Sequence, residues 1–562
     1  MSDIIAYKFN GEIYDTQSIG EHASEAQPIY FDNSEDALKV IRHSCAHLLA
    51  QAVRELYAGA KFFVGPAIED GFYYDIRVSK DNGEKLGEED LGAIEKKMRA
   101  LAEANLEIKK IASTKEAVAK KYANDDLKQE VLKRIPEGPV SLYAQGEFED
   151  ICRGPHVQNT KFLKNFALTR IAGAYLGGDE KREMLTRIYG VVFADKDSLK
   201  KHLTMLEEAK KRDHRKLGAE MKFFTFDEQI GAGLPIWLPA GTRMRIRLEE
   251  RLYRQLRKRG YEPVRGPEIL KSDAWKISGH YSNYKENMYF TTIEEQEYGI
   301  KPMNCVGHIK VYQSEIRSYR DLPLKFCEYG VVHRHEKSGV LHGLFRVREF
   351  TQDDAHLFVT PDQIEGEIQH TIDLFDEVYR TFGLSYKAEL STRPEDSMGS
   401  DEMWELATEG LRKALENRGL DFVVNEGDGA FYGPKIDFHL RDSIGRTWQC
   451  GTIQLDMSLP EKFDLTYVGE DGEKHRPVML HRVVYGSIER FIGILIENYA
   501  GAFPVWMAPV QVRILPITER HAAYAEQLRK KMFDLGIRVE VDDRNEKTGY
   551  KIRESQVKKT PY

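Results

Sequence analysis

The chain has 562 residues, a formal net charge of −8, and a composition of 41% hydrophobic and 31% charged residues. This length exceeds what one hydrophobic core normally supports, so three or four domains are expected. No apolar run reaches the roughly 18 residues that a membrane-spanning helix needs, so no span is expected. The negative net charge excludes a uniformly basic surface, so any nucleic-acid contact must use local basic patches.

The N-terminal sequence and the cysteines bear on the cellular compartment. The opening residues, MSDIIAYKFNGEIYD, contain no apolar segment of the kind found in secretory signals. The cysteines are odd in number and scattered along the chain: Cys45, Cys152, Cys305, Cys327 and Cys450. This distribution is typical of thiols used singly in a reducing compartment, not of a disulfide framework. We therefore expect a cytoplasmic protein.

The predicted elements of the first 218 residues mix strands and helices. In chain order they are a polar leader with strand-like pieces (1–31), an amphipathic helix (35–57), a hairpin (61–78), a charged helical stretch (86–123), a strand and loop (140–156), and a long charged helix (199–218). The last helix ends in glycine, and we expect it to link two domains.

In the remaining chain, the pattern of predicted strands and helices changes near residue 508. Residues 219–507 combine amphipathic helices with strand-like runs such as KIDFHLRD (435–442) and TWQCGTIQLDMSL (447–459). Strand, helix, strand and helix then follow, an order that predicts a small α/β domain. The sequence stops at KTPY, and two strands rarely make a stable sheet, so we expect this domain to be shortened.

The stretch HRHEKSGVLHGLFRVREFTQDDAH (333–356) has the residues of a nucleotide site. Arg334, Arg346 and Arg348 fall on two predicted strands joined by the turn EKSGVLHG, and arginine binds phosphate oxygens in pairs. Glu336 is placed to accept from an exocyclic amine, and Phe350 to stack on a base. No glycine-rich phosphate loop of the G-x-x-x-x-G-K-[ST] type occurs. A surface hairpin with solvated charges is the alternative.

Three stretches carry a family resemblance. RKRGYEPVRGPEI, VVHRHEKSG and GSIERFIGILIE resemble, in that order, motifs 1, 2 and 3 of class II aminoacyl-tRNA synthetases. KPMNCVGHIKVY, FTQDDAHLF, AFYGPKIDF and WQCGTIQLD are similar to the threonyl-tRNA synthetases within that class. The resemblance implies a multidomain α+β protein. Its parts are a remnant of a ubiquitin-like domain (1–31), an α+β editing domain (32–210), a class II catalytic domain with an antiparallel sheet and flanking helices (211–507), and a partial α/β anticodon-binding domain (508–562).

The resemblance also implies an activity and its residues. Threonine and ATP, with Mg²⁺, give threonyl-adenylate, and the threonyl group then passes to tRNA(Thr). Fixed cations stabilise the charge that concentrates at phosphorus. The implied catalytic residues are Arg334, Lys435 and His280. The implied ATP contacts are Arg334, Glu336, Arg346, Phe350, Gln449 and Arg490, and the implied substrate contacts are Gln352, Asp354, Tyr432, Gln454 and Ser487.

A zinc ion is implied by the same family pattern, with Cys305, His356 and His481 as ligands. Spacing alone does not select them among 17 histidines, because Cys305 and His308 also form a C-x-x-H pair. A thiolate with two imidazoles is a zinc-type donor set that leaves a position open for substrate. Zinc that binds the threonine hydroxyl, with Asp354 accepting its proton, rejects the isostere valine by about 10⁴-fold or more.

Serine keeps that hydroxyl, and its missing methyl is worth only about 1–3 kcal/mol, so a second, hydrolytic site is expected. HSCAH places His43 and His47 on one helix face, and CRGPH places Cys152 and His156 in a glycine-proline turn. The donor set alone fits a second zinc. The resemblance instead implies a metal-free editing site, in which Asp150 and Lys128 also take part and imidazoles activate water.

Basic segments are candidates for tRNA contacts. KKRDHRK (210–216) and the lysines of KIRESQVKK are favoured, whereas 242–260 is a basic helix that class II enzymes place at a homodimer interface. Three other functions are weighed against a threonine ligase. A serine or proline synthetase would lack the metal trio, an RNA-binding regulator would not need the ATP residues, and a free-standing editing hydrolase would not bind ATP.

Overall fold

The computed structural model describes residues 3–80, 83–179 and 181–562. The chain divides into two compact units, an N-terminal unit up to Glu207 and a C-terminal unit from Glu208 onward. Across the described residues, no helix combines the length and the apolar character needed to cross a membrane.

The described residues of the N-terminal unit form three sheets, with strand orders β2-β1-β3, β10-β11-β6-β4 (β5 also pairs with β6) and β7-β8-β9. Its strands are β1 Ile4–Phe9, β2 Glu12–Asp15, β3 Gln27–Tyr30, β4 Lys61–Phe62, β5 Ala67–Ile68, β6 Gly71–Arg77, β7 Ile108–Thr114, β8 Pro139–Gln145, β9 Phe148–Ile151, β10 Asn165–Tyr175 and β11 Met184–Phe193. Its helices are α1 Glu35–Leu56, α2 Leu91–Glu103, α3 Lys115–Lys121 and α4 Asp126–Arg134, and α5 Lys196–Arg212 crosses the boundary.

Helix α1 is the centre of the N-terminal unit. Glu35 and Asp36 occupy its first turn, where the helix dipole favours negative charge. Its long buried face packs in one hydrophobic cluster with strands of the unit, including Ile5 of β1 and Ile29 of β3. The strand-like pieces predicted within 1–31 are therefore strands that share this core.

The C-terminal unit carries the remaining elements. Its strands are β12 Phe224–Thr225, β13 Ile236–Trp237, β14 Glu262–Pro263, β15 Ile269–Lys271, β16 Tyr289–Ile293, β17 Gln296–Ile300, β18 Arg317–Ser318, β19 Leu324–His333, β20 Glu349–Val359, β21 Ser385–Ser391, β22 Phe422–Asn425, β23 Lys435–Arg441, β24 Thr447–Asp456, β25 Tyr467–Val468, β26 Lys474–His475, β27 Val478–Ser487, β28 Val512–Ile514 and β29 Val539–Val541. Its helices are α6 His214–Glu220, α7 Pro239–Lys258, α8 Ser272–Ser278, α9 His280–Asn283, α10 Cys305–Gln313, α11 Ile364–Thr381, α12 Asp401–Arg418, α13 Ser458–Lys462, α14 Ile488–Asn498, α15 Ala522–Asp534 and α16 Thr548–Val557.

An eight-stranded sheet organises this unit, in the order β14-β19-β20-β27-β24-β23-β21-β22. Its pairs are antiparallel except β14 with β19 and β21 with β22. Side chains alternate between the two faces of a strand. Ala355 and Leu357 therefore point away from His356, and they pack in a large cluster with residues of α11, α12 and α14. The opposite face is left for polar side chains.

Three sequence predictions were wrong in detail. The charged stretch 86–123 contains the strand β7 between α2 and α3, because its partner β8 lies far along the chain and local charge does not show it. The helix predicted over 199–218 is interrupted at Asp213, whose backbone is not helical and whose carboxylate caps α6 by accepting from the Arg215 amide. Arg334, Arg346 and Arg348 lie just beyond the ends of β19 and β20, in the connecting loop.

The last elements agree with the predicted order of strand, helix, strand and helix. β28 and β29 pair in parallel, with α15 between them in sequence and α16 following. Arg513 of β28 binds Glu540 of β29 through its guanidinium, at 2.8 Å.

Candidate active site

A cavity of about 160 Å³ opens on the polar face of the eight-stranded sheet. Residues from β20, β24, β27 and α10 line it, together with Arg334 from the loop after β19. Most of its lining was predicted from the sequence: Cys305, Arg334, Gln352, Asp354, His356, Tyr432, Gln454 and His481. Residues separated by more than 170 positions thus meet because antiparallel pairing brings their strands side by side.

The two candidate histidine ligands face each other across neighbouring strands. His356 of β20 pairs in register with His481 of β27, and His356 Nε2 lies 3.0 Å from His481 Nδ1. Asp456 Oδ2 lies 2.9 Å from His481 Nε2. Because a carboxylate accepts, Nε2 of His481 carries the proton, and the lone pair of Nδ1 faces His356. Burial lowers the pKa of His356 well below the ordinary value, so this ring is neutral.

Cys305 begins α10 and contributes its thiol to the same cavity. Its Sγ lies 3.9 Å from His280 Nε2, and burial raises the pKa of the thiol well above its usual range. In the described chain, the groups whose potential ligand atoms all lie within 4.8 Å of one another are elsewhere: His43–His47–Cys152–His156, Asp213–His214–Glu497 and Glu389–Asp428–Asp437. Cys305, His356 and His481 have the donor chemistry of a zinc site and line one cavity. Their potential ligand atoms, however, do not all meet this distance.

Asp354 lies two residues from His356 and on the same face of β20. Its Oδ2 accepts from Asn304 Nδ2 at 2.9 Å, and its Oδ1 lies 3.9 Å from His356 Nε2. Burial raises the pKa of Asp354 to about 6. The carboxylate is therefore ionised near pH 7 and presents an acceptor oxygen beside the two histidines.

Arg334 lines this cavity, and the other predicted arginines lie in the loop that follows it and at the start of α14. The Arg334 guanidinium lies 5.1 Å from the ring centre of Phe350. Arg346 Nε donates to Glu336 Oε2 at 3.0 Å, so these two predicted ATP contacts bind each other. Arg490 donates to two backbone carbonyls, those of Phe345 and Gln449, both at 3.1 Å.

Three further predicted residues have structural partners. Lys435 is held by Asp428 at 3.1 Å and Asp437 at 2.9 Å; burial opposes its charge, but the two carboxylates outweigh this and raise its pKa. His280 is fully buried, its Nδ1 lies 2.8 Å from Ser278 Oγ, and burial lowers its pKa to about 3. Ser487 Oγ accepts from the Arg490 amide and caps α14.

A second polar cluster lies in the N-terminal unit and contains the predicted editing residues. His43 Nε2 lies 2.8 Å from Cys152 Sγ, and His156 Nε2 lies 3.2 Å from the same sulfur. The ring of His47 is 4.3 Å from that of His156. Beside them, Asp150 forms a buried ion pair with Lys128 and accepts from the Tyr74 hydroxyl.

The second cluster is electrically neutral apart from that ion pair. Burial lowers the pKa of His43 to about 4 and of His47 to about 3, and it raises the pKa of Cys152 to about 12. Burial also lowers the pKa of His156 well below its ordinary value. These four donors lie close enough to hold a metal ion, and each of the three neutral imidazoles has a lone pair that can accept a proton from water.

Comparisons with known proteins give matches along three segments of the chain. Residues 289–499 match the family model described as tRNA synthetase class II core domain (G, H, P, S and T), and residues 140–189 match the threonyl and alanyl tRNA synthetase second additional domain. Residues 511–562 match the anticodon binding domain. The chain is 65% identical to a threonine–tRNA ligase of Campylobacter hominis and 64% identical to one of Campylobacter curvus, with 100% of this chain and 92% of each relative covered.

The chain belongs to the threonine–tRNA ligase family. A solved structure points the same way: the RNA binding domain of threonyl-tRNA synthetase from Cryptosporidium parvum has a TM-score of 0.60 and 42% identity. That similarity covers 62% of this chain and 88% of the other. The class II architecture and the presence of an editing domain, both expected from the sequence, are confirmed.

Several residues that contact the predicted site residues were not themselves predicted. Asp456 lies two positions after Gln454, so the alternation of β24 places both on one face and was a usable signal. His308 had been treated only as a spacing coincidence, yet its Nδ1 lies 2.8 Å from His356 Nδ1. Tyr74 had no local signal, because only the fold brings β6 against β9.

Proposed function

We propose that the chain activates threonine with ATP, transfers it to tRNA(Thr) and hydrolyses seryl-tRNA(Thr). Membership of the ligase family supports the reaction, and one observation carries the assignment of residues. Cys305, His356, His481 and Asp354 share a cavity with Arg334. Donors for a cation, an acceptor for a hydroxyl and a cation for phosphate are thereby combined at one place.

Adenylate formation needs positive charge at the phosphates and a held nucleotide. We assign Arg334 to the α-phosphate, because it lines the cavity where the threonine carboxylate must lie. Arg346 and Arg490 are assigned to the outer phosphates with Mg²⁺, and Gln449 to the nucleotide. Glu336 and Phe350 are assigned to the adenine. The Glu336–Arg346 pair must open for this, and it is an exposed pair that costs little to break.

Lys435 and His280 are weaker assignments within this scheme. Gln454, the cross-strand partner of Lys435, lines the cavity, whereas Lys435 does not. Lys435 is instead bound by Asp428 and Asp437. It would have to exchange one carboxylate for the reacting phosphate to act there. His280 Nε2 lies in contact with the sulfur atoms of Met303 and Cys305. His280 would have to exchange these contacts for one with the ribose in order to transfer a proton there.

Selection of threonine is assigned to the polar face of β20 and β27. Zinc held by Cys305, His356 and His481 would supply a Lewis-acidic template for the amino group and hydroxyl of threonine. Asp354 Oδ1 accepts the hydroxyl proton, while Asn304 fixes the other carboxylate oxygen. Gln352, Tyr432 and Gln454 shape the rest of the pocket. Ser487 acts on it only by capping α14.

Hydrolysis of seryl-tRNA is assigned to the cluster of the N-terminal unit. Ser44 Oγ donates to Val40 O at 2.8 Å and therefore accepts from His156 Nδ1–H at 3.2 Å. This places the lone pair of His156 on Nε2, 3.2 Å from Cys152 Sγ, so a water must replace the thiol contact before it gives up its proton there. The proposed site works without metal, with Lys128 and Asp150 as the fixed charged pair.

The editing assignment is tested by His156→Ala. We expect the rate of seryl-tRNA(Thr) hydrolysis to fall by about 10²–10⁴-fold, because a positioned base is lost. The measurement is release of labelled serine from pre-charged tRNA. Replacement of the exposed His22 by alanine is the matched control and should leave the rate unchanged. Undiminished hydrolysis by His156→Ala would remove His156 from the editing site.

The pH profile of editing is a second test. Because burial holds the pKa values of His43 and His47 at about 4 and 3, their neutral forms persist down to that range. We expect no inflection of hydrolysis rate near 6.5, the ordinary pKa of histidine, when serine release is measured from pH 5.5 to 8. A loss of activity centred near 6.5 would show that these imidazoles titrate normally.

The tRNA and the second subunit complete the proposal. The match to an anticodon binding domain supports tRNA binding by residues 511–562. We assign phosphate contacts to 210–216 and to the lysines of α16, and we propose a homodimer.

The editing, catalytic and anticodon-binding domains are proposed to span 32–210, 211–507 and 508–562. Charging of tRNA(Thr) with labelled threonine, absent with other tRNAs, is the test of the overall function.

A further inference from the structure

A line of buried polar side chains runs behind the cavity through five elements. It passes from Asp456 (β24) to His481 (β27), His356 (β20), His308 (α10) and Glu328 (β19). Successive separations are 2.9 Å, 3.0 Å, 2.8 Å and 3.8 Å. Each of the five is less than 9% exposed. Such a series fixes where the ring protons lie, because each shared contact needs one donor and one acceptor.

The proton positions can be followed from the Asp456 end. His481 Nε2–H donates to Asp456, so His481 Nδ1 must accept from His356 Nε2–H. His356 Nδ1 then accepts from His308 Nδ1–H. This leaves a lone pair on His308 Nε2, facing the Glu328 carboxylate, which also only accepts. Among the described residues, His308 Nε2 is indeed a buried nitrogen without a hydrogen-bond partner.

A cation bound by His356 Nε2 and His481 Nδ1 would reverse the contacts from His356 to His308 and on to Glu328, and it would leave the Asp456–His481 hydrogen bond unchanged. Both of those nitrogens must then offer lone pairs, so His356 carries its proton on Nδ1 and donates to His308 Nδ1. His308 in turn carries its proton on Nε2, directed at Glu328 Oε1. The three rings hold the same number of protons in both arrangements. The change is therefore an exchange of tautomers, and it replaces a lone pair facing a carboxylate with an N–H directed at that carboxylate, 3.8 Å away.

We propose that His308, backed by Glu328, is a positioning residue that sets the His356 tautomer able to bind the cation. The proposal rests on the proposed function, in which His356 is a metal ligand. Glu328 is a fixed acceptor, because Lys301 Nζ binds its Oε1 at 3.2 Å and the Gly266 amide donates to its Oε2 at 3.0 Å. Partners of this kind orient metal-bound imidazoles, and their loss typically costs about 10–100-fold in metal affinity.

The experiment measures zinc dissociation constants of the full-length chain by competition with a chelator. His308→Phe keeps a ring in the space beside Phe326 but removes both nitrogens. We expect the dissociation constant to rise by about 10–100-fold. Excess zinc should then restore threonine-dependent pyrophosphate exchange to the wild-type kcat, because the ligands remain. A merely structural role would not be rescued in this way.

Glu328→Gln provides a second variant in case His308→Phe does not fold. It keeps size and an acceptor oxygen but loses the charge, so a rise of up to about 10-fold is expected. Unchanged zinc affinity in a folded variant would overturn the proposal. Zinc binding lost beyond rescue would also overturn it, because His308 would then be a ligand paired with Cys305. Zinc retained by His356→Ala would instead refute the proposed metal site.

Discussion

Replacing Arg334 by alanine is expected to lower threonine-dependent pyrophosphate exchange by at least about 10²–10³-fold, the cost of losing one fixed group at developing charge. Arg334 is the only arginine besides the buried Arg482 that lines the described cavity. Its guanidinium is held by the Pro302 carbonyl at 3.3 Å and lies beside Phe350. The group is therefore placed before ATP binds.

Two companion variants sharpen this test. Arg334→Lys keeps the charge but loses the fork that binds two phosphate oxygens, so its exchange rate should fall between those of the wild type and the alanine variant. Arg320→Ala removes an exposed arginine whose guanidinium contacts only Tyr319 among the described residues, and it should be silent. Exchange by Arg334→Ala within 10-fold of the wild type would remove Arg334 from the phosphate site.

Replacing His356 by alanine is expected to abolish stoichiometric zinc and, with it, the rejection of valine. Without the zinc ion that binds the threonine hydroxyl, the pocket can separate threonine from valine by only about 10²-fold, the limit for an isostere in an ordinary pocket. Exchange with threonine should fall as well, because the substrate loses its template. Zinc content is measured by elemental analysis, and exchange is measured separately with each amino acid.

His370→Ala is the matched control for that variant. His370 lies on α11 with 67% of its side chain exposed, so its loss should change neither zinc content nor amino-acid selectivity. Full zinc occupancy in a folded His356→Ala protein would contradict the ligand assignment. Unchanged rejection of valine without zinc would place the selectivity elsewhere in the pocket.

The class II architecture was predicted from the resemblance of three motifs, and the structure shows why residues matched on one of those segments lie together. Gln352, Asp354 and His356 alternate along β20, so a single strand assignment places all three on one face. The loop 334–348 was less predictable. Its arginines leave the strands because His342 and Phe345 turn the chain, and that turn is stabilised by the distant His214, whose Nε2 accepts from the Leu344 amide.

Non-local partners account for the other differences. β7 forms only because β8 pairs with it, and the break at Asp213 depends on a capping geometry that helical charge patterns conceal. The editing residues were found as two i, i+4 pairs, but their neutrality follows from burial that only the fold reveals. His308 was visible in sequence, and only its distance to His356 gave it a proposed role.

One measurement tests most directly the claim that a cation on Cys305, His356 and His481 recognises the threonine hydroxyl. Pyrophosphate exchange is measured with threonine, serine and valine on a single sample of known zinc content. We expect one zinc per chain, exchange with serine about 10–200-fold below that with threonine, and exchange with valine at least about 10⁴-fold below it. Valine activated within about 10²-fold of threonine, or full threonine activation without zinc, would contradict the claim.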